Sequence, residues 1–190
     1  MELVFATHNK NKLTEIKAML PHHIKLLSLD DIGCTEDIPE TADTIDGNAI
    51  LKAEYVRRRY GYDCFADDTG LEVEALAGAP GVFSARFAGD EKNDDANVQK
   101  LLEHLKGKDN RKARFKTVIA LNLTNNENLF TGICQGEILE ERRGKKGFGY
   151  DPVFKPDGKT QSFAEMNLRE KAEISHRGKA FRDLIAYLAQ

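Results

Sequence analysis

Residues 113–138 read ARFKTVIALNLTNNENLFTGICQGEI. Ala113, Phe115, Thr117, Ile119, Leu121 and Leu123 fall on alternate positions, the period of a strand with one face on a core. TNNEN, residues 124–128, is a run of turn formers, and LFTGICQGEI returns as a second strand. The stretch therefore reads as a long hairpin, and a hairpin pairs antiparallel. Whatever else joins this sheet, it is not purely parallel.

Working outward toward the N-terminus, the pattern changes to β-loop-α. Residues 2–6 read as a short buried strand, and Leu13, Ile16 and Leu20 then share a helical face that ends at Pro21. A second strand fits Ile24 to Ser28, followed by the acidic, turn-rich DDIGCTEDIPETADT of residues 30–44. Thr44 is placed to cap a long helix with the apolar stripe Ile45, Ala49, Ala53, Val56 and Tyr60, stopped by Gly61. Arg57, Arg58 and Arg59 suit the negative pole of its macrodipole. CFADDTGLEVEAL, residues 64–76, reads as a short strand, a polar turn, and a further strand alternating through Leu71, Val73 and Ala75. A loop, AGAPGVFSARFAGD, leads to a helix from Asp95 that uses Val98, Leu101, Leu102 and Leu105. Beyond the hairpin, the glycine-rich basic RRGKKGFGYDPVF precedes two helical patterns, the last buried through Phe181, Leu184, Ile185 and Leu188. Early β-α units around a central hairpin predict an α/β fold with a mixed sheet, and 190 residues predict one domain, with room for two lobes.

The 41% apolar and 31% charged content is that of a soluble globular chain, and the net charge of −3 gives no global field for nucleic acid. Cys34, Cys64 and Cys134 are odd in number and widely spaced, which predicts reduced thiols and no disulfide frame. Neither a signal-peptide pattern nor an apolar run of membrane-spanning length is present, so a cytoplasmic address is expected, with no membrane partner.

Three constellations are candidates for chemistry. Thr7, His8, Asn9, Lys10, Asn11 and Lys12 crowd a strand-to-helix turn, where N–H groups, the helix dipole and amines suit a bound anion. The same residues also read as a plain helix cap with solvated lysines. Glu40 and the adjacent Asp67 and Asp68 supply hard oxygen donors for a divalent cation, or else the aspartates are turn formers. Lys145, Lys146, Phe148, Gly149, Tyr150 and Asp151, then Lys171, Ser175, His176 and Arg177, offer glycines for close approach, an aromatic platform and polar edges. Singly, the last two segments read rather as a helix cap at Ser175 and ordinary surface charge. Together they are the parts of a nucleotide site.

FATHNKNKLTEI, PETADTIDGNAILKA, FADDTGLEVEALAGAPGVFSARFAG, GKKGFGYDPVF and EKAEISHRGKAF occur in that order along nearly the whole chain. In these five blocks the sequence resembles the inosine/xanthosine triphosphate pyrophosphatase family, which hydrolyses non-standard purine nucleoside triphosphates to the monophosphate and pyrophosphate. The resemblance implies one α/β domain of 190 residues, elongated and two-lobed around a long mixed sheet, with the active cleft between the lobes. It implies that Thr7, His8, Asn9, Lys10, Asn11 and Lys12 cradle the triphosphate. Glu40 and Asp68 would serve Mg2+, with Asp67 beside them and Asp68 as proton acceptor. Thr69, Phe148, Gly149, Tyr150, Asp151, Lys171, His176 and Arg177 would contact substrate, and Arg86 would lie near the cleft. A homodimer acting on ITP, dITP or XTP is expected. Gly47 departs from the pattern, for many relatives carry an acidic residue there.

The expected reaction is attack of water on the α-phosphorus with pyrophosphate leaving. Lys12 stabilises charge on the phosphates, and Asp68 takes the proton. His176, Arg177 and main-chain donors at 148–151 would meet a purine 6-keto oxygen. The rivals are a related pyrophosphatase with other substrates and a nucleotide sensor that binds without catalysis.

Overall fold

A computed structural model describes residues 1–124 and 126–190. The regular elements are β1 (Glu2–Phe5), α1 (Lys10–Met19), β2 (Lys25–Leu27), α2 (Ile45–Tyr60), β3 (Cys64–Val73), β4 (Pro80–Gly81), α3 (Asp94–Leu105), β5 (Lys112–Leu123), β6 (Asn126–Ile138), β7 (Phe154–Pro156), α4 (Leu168–Ile174) and α5 (His176–Leu188). The hydrogen-bonded strand order is β2-β1-β3-β5-β6-β7, with β4 pairing onto β3. β1 runs parallel to β2 and to β3, whereas β3–β4 and β6–β7 are antiparallel. The mixed α/β sheet expected from the hairpin and the β-α opening is present. β5 and β6 are neighbours whose ends lie so close in sequence that only an antiparallel return joins them. Asn125, inside the predicted TNNEN turn, lies outside the described residues.

One strand departs from the sequence reading. FADDTG is not a turn: β3 runs unbroken from Cys64 to Val73, and Asp67 and Asp68 sit within it, both buried. Asp and Gly are ordinarily turn formers, but here distant cations neutralise the two carboxylates, which removes the reason to break the ladder.

Backbone contacts divide the chain into two compact units. The first comprises Met1–Asp68, Thr117–Gly132 and Arg177–Gln190; the second comprises Thr69–Lys116 and Ile133–His176. In the first, alternation along β1, β3 and β5 feeds two cores. Val4, Cys64, Ala66 and Val118 pack with Ala49, Ala53 and Val56 of α2. Phe5, Phe65 and Ile119 pack with Ile16 of α1 and Phe181 and Leu184 of α5. Phe5 and Phe65 stack at 4.5 Å, and burying each such ring is worth about 1.5–3 kcal/mol. α2 begins and ends as its sequence predicts: the Thr44 hydroxyl accepts from Gly47 N–H, and Gly61 closes the helix in the left-handed region at φ +76°. In the second unit, Val98, Leu101 and Leu105 of α3 pack with Leu71, Val73, Phe115, Phe154 and Phe163. Among the described residues no helix is long and apolar enough to cross a membrane.

Candidate active site

In the first unit, the β1–α1 turn forms the helix cap that was one of its two sequence readings. The Asn9 carboxamide caps α1, accepting from the N–H groups of Asn11 and Lys12 at 3.0 and 3.1 Å, while Thr7 Oγ1 accepts from Asn9 N–H. His8, Asn9, Lys10 and Asn11 are exposed, and His8 Nε2 meets the Glu36 carbonyl at 3.0 Å. Lys12 turns the other way. Its Nζ donates to Asp67 Oδ1 at 2.9 Å, and burial pulls its pKa below the ordinary lysine value against the pull of Asp67.

Asp67 lies between two cations. Its second oxygen accepts from Arg177 Nε at 3.0 Å, and Arg177 Nη1 donates to Glu15 at 2.5 Å. Arg177 is 2% exposed and Asp67 1%. Burial opposes the Asp67 charge, but Lys12, Arg177 and Lys52 more than compensate, so its carboxyl is held well below the usual carboxylate range. Arg177 itself is driven up, because Asp67 and Glu15 outweigh its desolvation. The sequence reading put Arg177 on the substrate's base; the structure places its guanidinium on these two carboxylates.

Asp68 behaves oppositely. Burial raises its pKa even though Lys52 and Lys12 favour the ionised form, and Glu40 and Asp67 add to the rise. Lys52 Nζ reaches Glu40 Oε1 at 2.6 Å and Asp68 Oδ1 at 3.6 Å, so the two candidate metal ligands face a common ammonium. Burial weighs against the charge on Lys52, but Asp68 and Glu40 hold its pKa above the ordinary value. Neither Lys52 nor Glu15 was singled out from sequence. Lys52 had a usable signal, since it falls on the buried face of α2 beside Asn48, Ala49 and Ala53, where a lysine needs anionic partners. No group of three or more His, Cys, Asp or Glu side chains in metal-binding arrangement occurs among the described residues.

The second unit holds the aromatic group. Asp151, 3% exposed, accepts through Oδ2 from Phe148 N–H at 2.9 Å and from Lys171 Nζ at 2.6 Å. Lys171 Nζ also lies 5.0 Å from the Phe148 ring centroid and 5.4 Å from that of Phe163. Gly147 has φ +73°, and a Cβ there would overlap the Asp151 carboxylate, so the turn admits only glycine. Gly149 N–H donates to Asp94 at 2.8 Å, and Tyr150 is buried with its hydroxyl on the Ser84 carbonyl at 2.6 Å. His176 stacks on Phe115 at 4.4 Å. Thr69 is half-buried on β3, and Arg86 ends a short 3-10 turn, Ser84–Arg86. Phe148, Asp151 and Lys171 are thus brought together in one knot, and His176 lies on an aromatic ring of the same unit's core.

This is the geometry in which the family likeness is legible: residues 3–187 match the Ham1 family along nearly the whole chain. The chain belongs to the Ham1 family. It is 71% identical over 190 residues to the dITP/XTP pyrophosphatase of Christiangramia forsetii, covering all of both chains. It is 64% identical over 187 residues to that of Flavobacterium psychrophilum, covering 98% of each. The solved Ham1 protein of Staphylococcus aureus superposes with a TM-score of 0.90 at 37% identity, over 100% of this chain and 98% of that one. The HAM1 protein of Coxiella burnetii gives 0.90 at 39% identity with the same coverage. In this Ham1-family chain the five sequence blocks, spread from Phe5 to Phe181, supply both groups of side chains described above.

Proposed function

We propose that this chain hydrolyses non-standard purine nucleoside triphosphates, dITP, ITP and XTP, to the monophosphate and pyrophosphate; the relatives described above are named dITP/XTP pyrophosphatase. The observation that carries the chemistry is the split between neighbours on β3: Asp67 held anionic by Lys12 and Arg177, Asp68 made more basic by burial. Adjacent acids whose environments drive their pKa values apart are suited to different tasks. Asp68 is the base that takes a proton from the water attacking the α-phosphorus, and Asp67 holds Lys12 where negative charge accumulates.

Glu40 and Asp68 are the residues that would hold a divalent cation. Two carboxylates facing one cationic position, Lys52 Nζ, form an oxygen donor set that fits a hard ion completed by water and phosphate oxygens. Mg2+ bound there would supply charge neutralisation and polarisation of the phosphate. The exposed loop at residues 7–11 offers the phosphates backbone and side-chain donors. In the second unit, Phe148 supplies a stacking face; the N–H groups of Phe148, Gly149 and Asp151 are already given to Asp151, Asp94 and the Phe148 carbonyl, so of the main-chain donors at 148–151 it is Tyr150 N–H that is left for a 6-keto oxygen. An adenine amino group in that place would leave such a donor unpaired, at about 1–3 kcal/mol for a buried one. A homodimer is carried in this proposal from the family likeness, and a cytoplasmic address from the three free, buried cysteines.

The test is pyrophosphate release from dITP, ITP, XTP, dATP and GTP with and without Mg2+. Turnover of the first three, dependent on the metal and reduced about 100-fold or more in Asp68→Asn, supports the proposal. Full turnover by Asp68→Asn removes Asp68 from its role, and no release from any of the five removes the function.

A further inference from the structure

Asp68 is fixed by the sheet, but Glu40 lies outside any helix or strand, in the irregular stretch between Ile32 and Ile45, with its carboxylate on Lys52 of α2. Downstream of Glu40 the stretch is tied by Ala42 N–H, which donates to Asn48 of α2 at 2.9 Å. Upstream the tie is Glu36, which the mechanism does not use. Glu36 Oε1 accepts from the hydroxyls of Tyr55 and Tyr60, both at 2.8 Å, and from Arg59 Nε at 2.9 Å, all on the last turns of α2. The Glu36 carbonyl, at the same time, is met by His8 Nε2 at 3.0 Å, and an acceptor there requires the ring to donate. His8 immediately precedes Asn9, the residue that caps α1.

We propose that Glu36 is a positioning residue, a strap that fixes the Glu40 segment to α2 through its carboxylate and to the residue 7–12 loop through its carbonyl. A phosphate chain on that loop and a cation on Glu40 are thereby linked, each strengthening the other. This rests on the reading of the loop as the phosphate cradle and of Glu40 as a cation ligand. Three donors converging on one carboxylate oxygen are more than surface solvation needs, and the main-chain contact with His8 is what ties the strap to the cradle.

The experiment uses the whole chain and a non-hydrolysable dITP analogue, titrated calorimetrically over a range of Mg2+ concentrations. The quantity read is the factor by which Mg2+ tightens nucleotide binding, which cancels any direct contact of His8 with phosphate. Glu36→Ala and His8→Phe are expected to cut that factor about fivefold, the worth of one partly exposed hydrogen bond. Glu36→Gln keeps an acceptor for the tyrosine hydroxyls and is expected to stay within about twofold of the parent. His8→Phe alters an exposed ring, so it keeps the test open should Glu36→Ala fail to fold. Imidazole 15N shifts give a readout independent of binding: His8 is expected as the Nε2–H tautomer in the parent and as a mixture in Glu36→Ala. An unchanged Mg2+ factor in His8→Phe, or a parent His8 carrying its proton on Nδ1, overturns the strap. A parent with the expected tautomer but no Mg2+ enhancement removes the cation reading instead, and the linkage with it.

Discussion

Replacing Arg177 by Leu removes the cation from a buried set in which Glu15, Arg177, Asp67 and Lys12 are joined by contacts of 2.5–3.0 Å. Asp67 keeps Lys12, but Glu15, buried at 9% exposure, loses its guanidinium partner. Breaking a buried pair by removing one partner costs about 3–5 kcal/mol, because a desolvated charge is left behind. For a chain of this length that is a fall in Tm of about 10 °C. The diagnostic result is a reversal of sign. Glu15→Gln in the parent should destabilise by about 1–3 kcal/mol, since it weakens a charge-assisted bond. In the Arg177→Leu background the same change removes a buried charge that has lost its guanidinium and should stabilise. Asp67 adds a pH signature. Its folded pKa is depressed, so its contribution is present above the unfolded carboxylate value of about 4 and is lost as pH falls through the folded value. In the variant, Asp67 loses one of the charges that hold its pKa down and protonates more readily, so the penalty should shrink as pH drops toward about 4. Urea unfolding followed by circular dichroism at several pH values measures all of this. Additive effects of the two substitutions, with no change of sign, would refute the ion-set account.

Lys52→Met should raise the Asp68 pKa further, because the nearest opposing charge is lost; the base must be ionised, so the acidic limb of the pH–rate profile moves to higher pH. An unmoved limb would separate Asp68 from that limb. Gly47→Ala places a Cβ 2.6 Å from Ala42 Cβ and 3.0 Å from the Thr44 capping hydroxyl, so urea unfolding should show a loss of about 1–3 kcal/mol where an exposed helical Gly→Ala would ordinarily gain. Burial pushes the Cys64 thiol up to about 12, and its Sγ lies 3.2 Å from the Ala53 carbonyl. In the native protein at pH 8 mass spectrometry should find Cys64 unmodified by a thiol reagent, and modified once urea is added.

The hairpin, the capped α2 and the five motif blocks were legible because each is written in local chemistry: alternation, a Thr44 cap, a Gly61 stop. What sequence could not supply was the long-range neutralisation of β3. FADDTG reads as a turn to any local rule, and it is a strand because Lys12, Lys52 and Arg177 reach it from 55, 16 and 110 positions away. The same distance hid the partners of Arg177, whose motif gave a residue type and not a direction. Lys52 was written plainly on an apolar stripe yet reads as a helix former until its carboxylates are seen. Asn9 shows the opposite case, a cap by local rules and a cap in fact.

The continuity of β3 is also what makes two adjacent aspartates useful. Consecutive residues of a strand point to opposite faces, so Asp67 follows Phe65 toward α1 and α5, and Asp68 follows Cys64 and Ala66 toward α2. A turn at FADDTG would have let both carboxylates share one environment, where their repulsion would raise one pKa without choosing which. The pleat chooses. It delivers Asp67 to the arginine and lysine of the α1/α5 face and Asp68 to the lysine and glutamate of the α2 face, and the helices keep those partners there by their own core contacts. A residue inserted between Asp67 and Asp68 would therefore do more than lengthen the strand: one of the two carboxylates would be turned onto the other's face. Such a variant should lose turnover while retaining a folded hairpin, and a fully active one would show that the division of labour does not depend on the pleat.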